Sequence, residues 1–141
     1  MLIFNAGNRP YEEIEEGLEE REPQINIFSG DDRPIAVILD NHTAAWPHSG
    51  IEQAYKVYEI IVEGGETRLL ALFKGQNVPV IGPTRSTRHY FLDYVLENDA
   101  IHVHFGWSPQ ARRDARSLGI DNVNGMADSR ILEKFSKIST T

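Results

Sequence analysis

The stretch Gly82-Pro-Thr-Arg85-Ser86-Thr-Arg88 sets two guanidinium groups three residues apart among small hydroxyls, just before an amphipathic run. Val78 to Ile81 reads as a buried strand. Tyr90, Phe91, Tyr94 and Val95 recur at helical spacing, so a helix is expected to run to about Asn98. The residues Gly82–Arg88 between them therefore read as a strand-to-helix turn capped by Ser86 or Thr84. Such a turn offers unpaired N–H groups and the positive end of a helix dipole to an anion. Arg85 and Arg88 add charge-assisted, bidentate donors suited to a carboxylate or phosphate. Cations in a first helical turn oppose the dipole, so structure alone does not favour them there. The competing reading pairs both arginines inside the protein with Asp40, Glu63 or Glu66.

Other residues join this constellation if the elements carrying them are neighbours. Arg68 opens the second run of an expected hairpin, and Asp40-Asn41-His42 closes the first apolar run. Open α/β sheets place ligand crevices at such strand ends. In a binding reading, Arg68, Arg85 and Arg88 grip an anion beside Ser86, while Asp40, Asn41 and His42 fix neighbouring hydroxyls or amides. In a hydrolase reading, Asp40 or Glu63 is the general base and the arginines stabilise developing negative charge. In a third, the charges neutralise one another and fix the fold of a protein-interaction domain.

His102-x-His104 places two imidazoles on one face of a strand, where Asp40, His42 or Glu63 could complete a metal site. No HxxH, HExxH or cysteine ligand supports that, so neither metal nor cofactor is expected. Ser86 and Ser108 lack the G-x-S-x-G elbow of a nucleophile, and Ser108 is better explained as a helix cap. Trp46 and Trp107 fall in loops beside polar groups. Lid-like packing is favoured for them over a stacking platform for a sugar or aromatic group.

The positioning elements follow from the hydrophobic pattern. Ile35-Ala-Val-Ile-Leu39 is a short apolar run, read as a buried strand. Ser49-Gly-Ile-Glu52 has capping-box spacing for a short helix to about Tyr55. Val57–Val62 and Thr67–Phe73 flank Glu63-Gly-Gly-Glu66, which makes a hairpin. Ala100–Phe105 alternates as a strand, with Ile101, Val103 and Phe105 on one face and the two histidines on the other. Ser108-Pro109 opens a helix that closes at Gly119. Ile131, Leu132 and Phe135 suggest one more short helix. The order predicts an α/β domain, with α+β as the alternative: a mixed sheet, an internal hairpin and two to four flanking helices.

The chain of 141 residues suits one domain, and its 40% hydrophobic content is ordinary. The net charge of −7 is concentrated between Tyr11 and Glu22, where seven Glu and one Arg carry −6. Residues 1–30 accordingly read as an acidic, mostly flexible arm and 31–141 as the folded domain. No basic stripe stands out, which disfavours nucleic acid as a partner. There are no cysteines, so disulfides, thiolate metal sites and a lipobox anchor are excluded. No apolar run reaches the roughly 18 residues of a membrane span, and Met1-Leu-Ile-Phe-Asn lacks the basic flank of a signal peptide.

Asp40-Asn-His42, Pro47 to Gly50, Tyr58-Glu59, Val62 to Arg68, Gly82 to Arg88 and Gly106 to Ala111 occur in an order that resembles the YerB-like "putative lipoprotein" family of Gram-positive bacteria. The likeness covers about residues 33–125. It implies an N-terminal domain catalogued as of unknown function, so it transfers no catalytic residues. It further implies an exported, lipid-anchored protein with a second domain after this one. The chain departs from that pattern in having no lipobox cysteine and no room for the second domain. Membrane association is therefore expected only through an anchor absent from this chain. On its own residues, without a signal peptide or lipobox, the chain reads equally as cytoplasmic. The expected partner is a small anionic ligand or cell-wall fragment.

Overall fold

Strand β1 (Ile35–Asp40) forms where the sequence is most continuously apolar, and it lies at the centre of the sheet. The computed structural model describes residues 32–75 and 77–127. The arm expected over 1–30 and the helix expected around Ile131 to Phe135 lie outside the described residues.

Strands β2 (Lys56–Ile61) and β3 (Thr67–Phe73) are the expected hairpin, closed by Glu63–Gly65. That turn needs Gly64 and Gly65 at φ of 75° and 77°, a region costly for residues with a side chain. Helix α1 (Phe91–Glu97), strand β4 (Ile101–His104), helix α2 (Pro109–Ser117) and strand β5 (Asn122–Asn124) follow. The sheet order is β2-β3-β1-β4-β5. It is mixed as expected: β3 runs antiparallel to β2 and β1, while β1, β4 and β5 are parallel. The helices are the crossovers that parallel pairing demands.

The two faces are covered differently. Ala36, Ile38, Leu70 and Leu72 pack under Phe91, Leu92 and Val95 of α1 and Ala115 of α2. On the other face Val37, Leu39, Leu69, Ala71 and Phe73 are covered by irregular chain carrying Ile51, Ala54, Val78 and Ile81. Helices on one face only make this an α+β arrangement. Ser108 caps α2 as expected, accepting from Ala111 N at 3.2 Å with Pro109 at the first position. Ser108→Ala is expected to lower stability by about 1 kcal/mol, read as a drop of a few degrees in the thermal midpoint.

Three local expectations are corrected. Val78–Ile81 is not a strand but a loop lying on the sheet. Ser49 and Glu52 do not form a capping box; a single 3-10 turn, Ile51–Gln53, starts from Gly50 at φ 76° with no side-chain cap. A Cβ at Gly50 would meet the Val80 carbonyl at 2.4 Å, so close packing rather than helix capping explains this position. Third, no helix begins at Ser86 or Thr84. Helix α1 starts at Phe91, after Tyr90, with no side-chain cap.

Residues 83–87 are instead extended, wedged where β1 and β4 part company. Asp40 N donates to Pro83 O and Arg85 N to Ile38 O on the β1 side. Phe105 N donates to Arg85 O, and Thr87 N to Gly106 O, on the β4 side. The split lies beyond the last paired residues of the parallel strands, Val37 and Val103. The arginine segment thus fills the carboxyl-end crevice of the sheet without a helix terminus.

Candidate functional site

The wedge brings most of the expected residues together. Asp40 ends β1 directly opposite Arg68 near the start of β3, with Ile60 of β2 as the next neighbour. Arg85 Nε lies 3.0 Å from Asp40 Oδ2, and Arg88 Nε lies 2.6 Å from Glu63 Oε1. Arg68 Nη1 donates to the Ser86 carbonyl. Three guanidiniums therefore face two carboxylates, and the cluster keeps one net positive charge.

The three cations are not equivalent. Arg85 is 54% exposed, and Glu63, the partner of Arg88, is 66% exposed. Half-solvated ion pairs of this kind contribute little, about 0–1 kcal/mol. Arg68 is only 9% exposed, and among the described residues no carboxylate comes within ion-pair distance of it. Burial, and then the neighbouring charges of Arg88 and Arg85, hold its pKa below the ordinary arginine value against the weaker pull of Glu63 and Asp40. The hydrogen bond from Arg88 holds the Glu63 carboxyl below the usual carboxylate range. Tyr90, read from its spacing as core, also feels this cluster. Burial, followed by Glu63, pushes its phenol pKa up. Helical periodicity grouped it with Phe91, and nothing in sequence separates the two.

Asn41 and His42 belong to local structure instead. The His42 ring accepts from Ala44 N at 3.1 Å, capping a 3-10 turn, while the His42 backbone N–H donates to Asp40 Oδ1 at 3.2 Å. Asn41 donates to Thr67 and Glu59 on the opposite sheet face. Neither side chain makes a bond to the arginines.

His102 and His104 share a face as expected, but it is the buried one, each being 1% exposed. The alternation of β4 was legible, whereas the sign of its faces was not. Imidazoles go under the helices because each finds partners there. His102 Nδ1 meets Ala36 O at 3.3 Å, and Nε2 meets Thr87 Oγ1 at 2.9 Å. His104 meets Gly106 O at 2.7 Å and Asn122 Oδ1 at 3.3 Å. All four ring nitrogens have protein partners. Among the described residues no group of three or more His, Cys, Asp or Glu is arranged to hold a metal ion. The rings stack 5.0 Å apart, and Trp107 packs on His104 at 4.9 Å. Trp107 is half-buried and packs against the core under the helices, whereas Trp46 stands 60% exposed and covers nothing like a lid.

What this cluster can do chemically is offer an anion three neighbouring guanidiniums, one of them nearly buried and without a carboxylate of its own among the described residues. No helix among the described residues is long and apolar enough to cross a membrane.

The comparisons give this fold a family. The model described as "Protein of unknown function (DUF3048) N-terminal domain" matches residues 19–140. A relative, "Putative lipoprotein YerB" of Bacillus subtilis (strain 168), is 44% identical over 94 residues, covering 67% of this chain and 28% of the relative. The crystal structure of the YerB protein from Bacillus subtilis matches with a TM-score of 0.64 and 44% identity, over 67% of this chain and 32% of that one. The chain thus spans less than a third of the curated relative's length. With the family model covering most of its residues, the chain belongs to the DUF3048 N-terminal-domain family, the YerB-like group.

Proposed function

We propose that this domain recognises an anionic group, a carboxylate or phosphate, with Arg68 as the anchoring cation. The observation that carries the reading is a nearly buried guanidinium with no ion-pair partner among the described residues and two more guanidiniums beside it. Such an arrangement is unfavourable as pure scaffolding, since a buried charge costs stability unless it is paired. An incoming anion neutralises it. Arg85 and Arg88 each sit in an ion pair with one exposed member, so turning from it to the ligand costs little. The printed name of the Bacillus relative, a putative lipoprotein, supports placing the domain outside the cytoplasmic membrane. The ligand would then belong to a cell-wall fragment. Hydrolysis is less favoured by the same geometry. Arg88 makes Glu63 a weak base, and Asp40 is engaged by Arg85 and by the His42 amide.

The test is thermal unfolding in inorganic phosphate at matched ionic strength. Stabilisation that rises with the logarithm of phosphate concentration is expected, reaching about 2.7 kcal/mol at a hundredfold excess over the dissociation constant. A midpoint indifferent to phosphate and to acetate at every concentration would end the proposal.

A further inference from the structure

We propose that Trp46 is a stacking platform for a neutral pyranose ring, on the sheet face opposite Arg68. Glu59 and Thr67 alternate with Ile60 and Arg68 along β2 and β3, so their side chains point away from the arginine cluster. This subsite is therefore independent of the anion reading.

An indole left 60% exposed forfeits the burial that usually justifies tryptophan. This one is nevertheless held by a dedicated network. Trp46 Nε1 donates to Asn41 Oδ1 at 3.1 Å. Asn41 Nδ2 donates to Thr67 Oγ1 at 2.8 Å and to Glu59 Oε1 at 3.1 Å. The Thr67 hydroxyl donates to the same Glu59 oxygen at 2.8 Å. The His48 ring stands tilted at 53° to the indole, with 6.4 Å between the ring centroids. His48 is itself fixed to the Asp40 carbonyl at 2.5 Å. A loop tryptophan with no role in the core gains nothing from such ordering. A binding platform does, because the rotamer entropy is lost before the ligand arrives.

The chemistry around the ring selects the ligand. The network meets the indole at its nitrogen edge, and the residue as a whole stands 60% exposed. The network ends on Glu59 Oε1, while Oε2 has no partner among the described residues. A pyranose matches this layout. Its axial C–H groups form a flat apolar face for the indole, and its equatorial hydroxyls project in the ring plane, past the indole edge. An ionised carboxylate only accepts, so Glu59 selects a hydroxyl or amide N–H and repels an anion.

The probes are cellotetraose and chitotetraose, followed through tryptophan emission and by equilibrium dialysis. A saturable change with a dissociation constant of about 1 mM is expected from at least one. Trp46→Ala is expected to weaken binding at least about tenfold with the thermal midpoint nearly unchanged. Glu59→Gln puts a donor where the acceptor stood, and it is expected to weaken binding to a similar degree while the indole stays in place. Three results would overturn the proposal. They are no saturable binding of either sugar up to about 10 mM, equal binding by Trp46→Ala, or an emission shift that follows protein concentration alone. The last would make the indole a self-association contact.

Discussion

Arg68→Met is expected to raise the thermal midpoint of the ligand-free protein and to erase its stabilisation by phosphate. Methionine keeps the apolar stem and roughly the volume of arginine and deletes the charge. The Ser86 carbonyl then loses a donor, at a cost of about 1 kcal/mol. Against this, the burial cost of the cation disappears, and so does its repulsion from Arg88 and Arg85. Asp40 and Glu63 lose a distant attraction but keep their own arginines at 3.0 and 2.6 Å. Replacing buried ions by apolar side chains of similar volume ranges from neutral to about 4 kcal/mol stabilising, so a net gain of about 1–2 kcal/mol is expected. On a domain of this size that is a rise of roughly 4–10 °C. Arg85→Ala removes a half-solvated cation instead, and it is expected to weaken the phosphate response without abolishing it. A lower midpoint for Arg68→Met with the phosphate response intact would identify Arg68 as a structural strut. Gaining stability while losing the ligand is the signature of a residue retained for binding.

The fold was legible wherever one residue type answers one local demand. Gly64-Gly65 supplies the two left-handed positions of a hairpin turn, and Ser108-Pro109 supplies a cap and a first helical residue. Ile35–Leu39 has no polar residue to spare for a solvent face, so its central place followed. Residues 83–87 were misread because a segment bonded partly to each of two diverging strands has no period of its own. The hydrogen bonds that define it come from Ile38, Phe105 and Gly106, far away in sequence. A strand as short as Asn122–Asn124 is equally invisible, since it forms only because His102 to His104 offers it an edge. For the site, charge types and order were enough to gather Asp40, Glu63, Arg68, Arg85 and Arg88. They were not enough to say which arginine lacked a carboxylate. That depends on reach: Arg85 and Arg88 extend to acids at the rim, while Arg68 starts under the wedge and meets a carbonyl first.

Lowering the pH from 7 to 5 is expected to remove about 2 kcal/mol of stability through His102 alone. The ring lies under the helices, and burial, reinforced by the adjacent His104, pushes its pKa down to about 3. In the unfolded chain the same imidazole titrates near 6.5. Below that value the unfolded state takes up a proton that the folded state refuses, so unfolding is increasingly favoured as the pH falls. The loss grows until the folded ring titrates as well, near pH 3, by which point it amounts to about 4 kcal/mol. His104, whose pKa is also lowered mainly by burial, adds to the effect in the same direction. The hydrogen bonds suit the neutral form that the fold selects. The Ala36 carbonyl and the Thr87 hydroxyl, which also lies 3.3 Å from the Arg88 carbonyl, meet the two ring nitrogens without requiring a second ring proton. Glu63, with its pKa lowered by Arg88, contributes stability that is lost as the pH falls from the ordinary carboxylate range toward its lowered pKa. The interval from pH 7 to 5 therefore isolates the histidines. Urea unfolding at pH 7, 6 and 5 measures the slope directly. His102→Gln keeps a donor and an acceptor without a titrating group. Whatever stability it loses at pH 7, it should fall less steeply than the parent as the pH drops. Parallel slopes for the two proteins would mean that the ring is protonated or solvated in the folded state, and that the wedge does not seal it under Thr87.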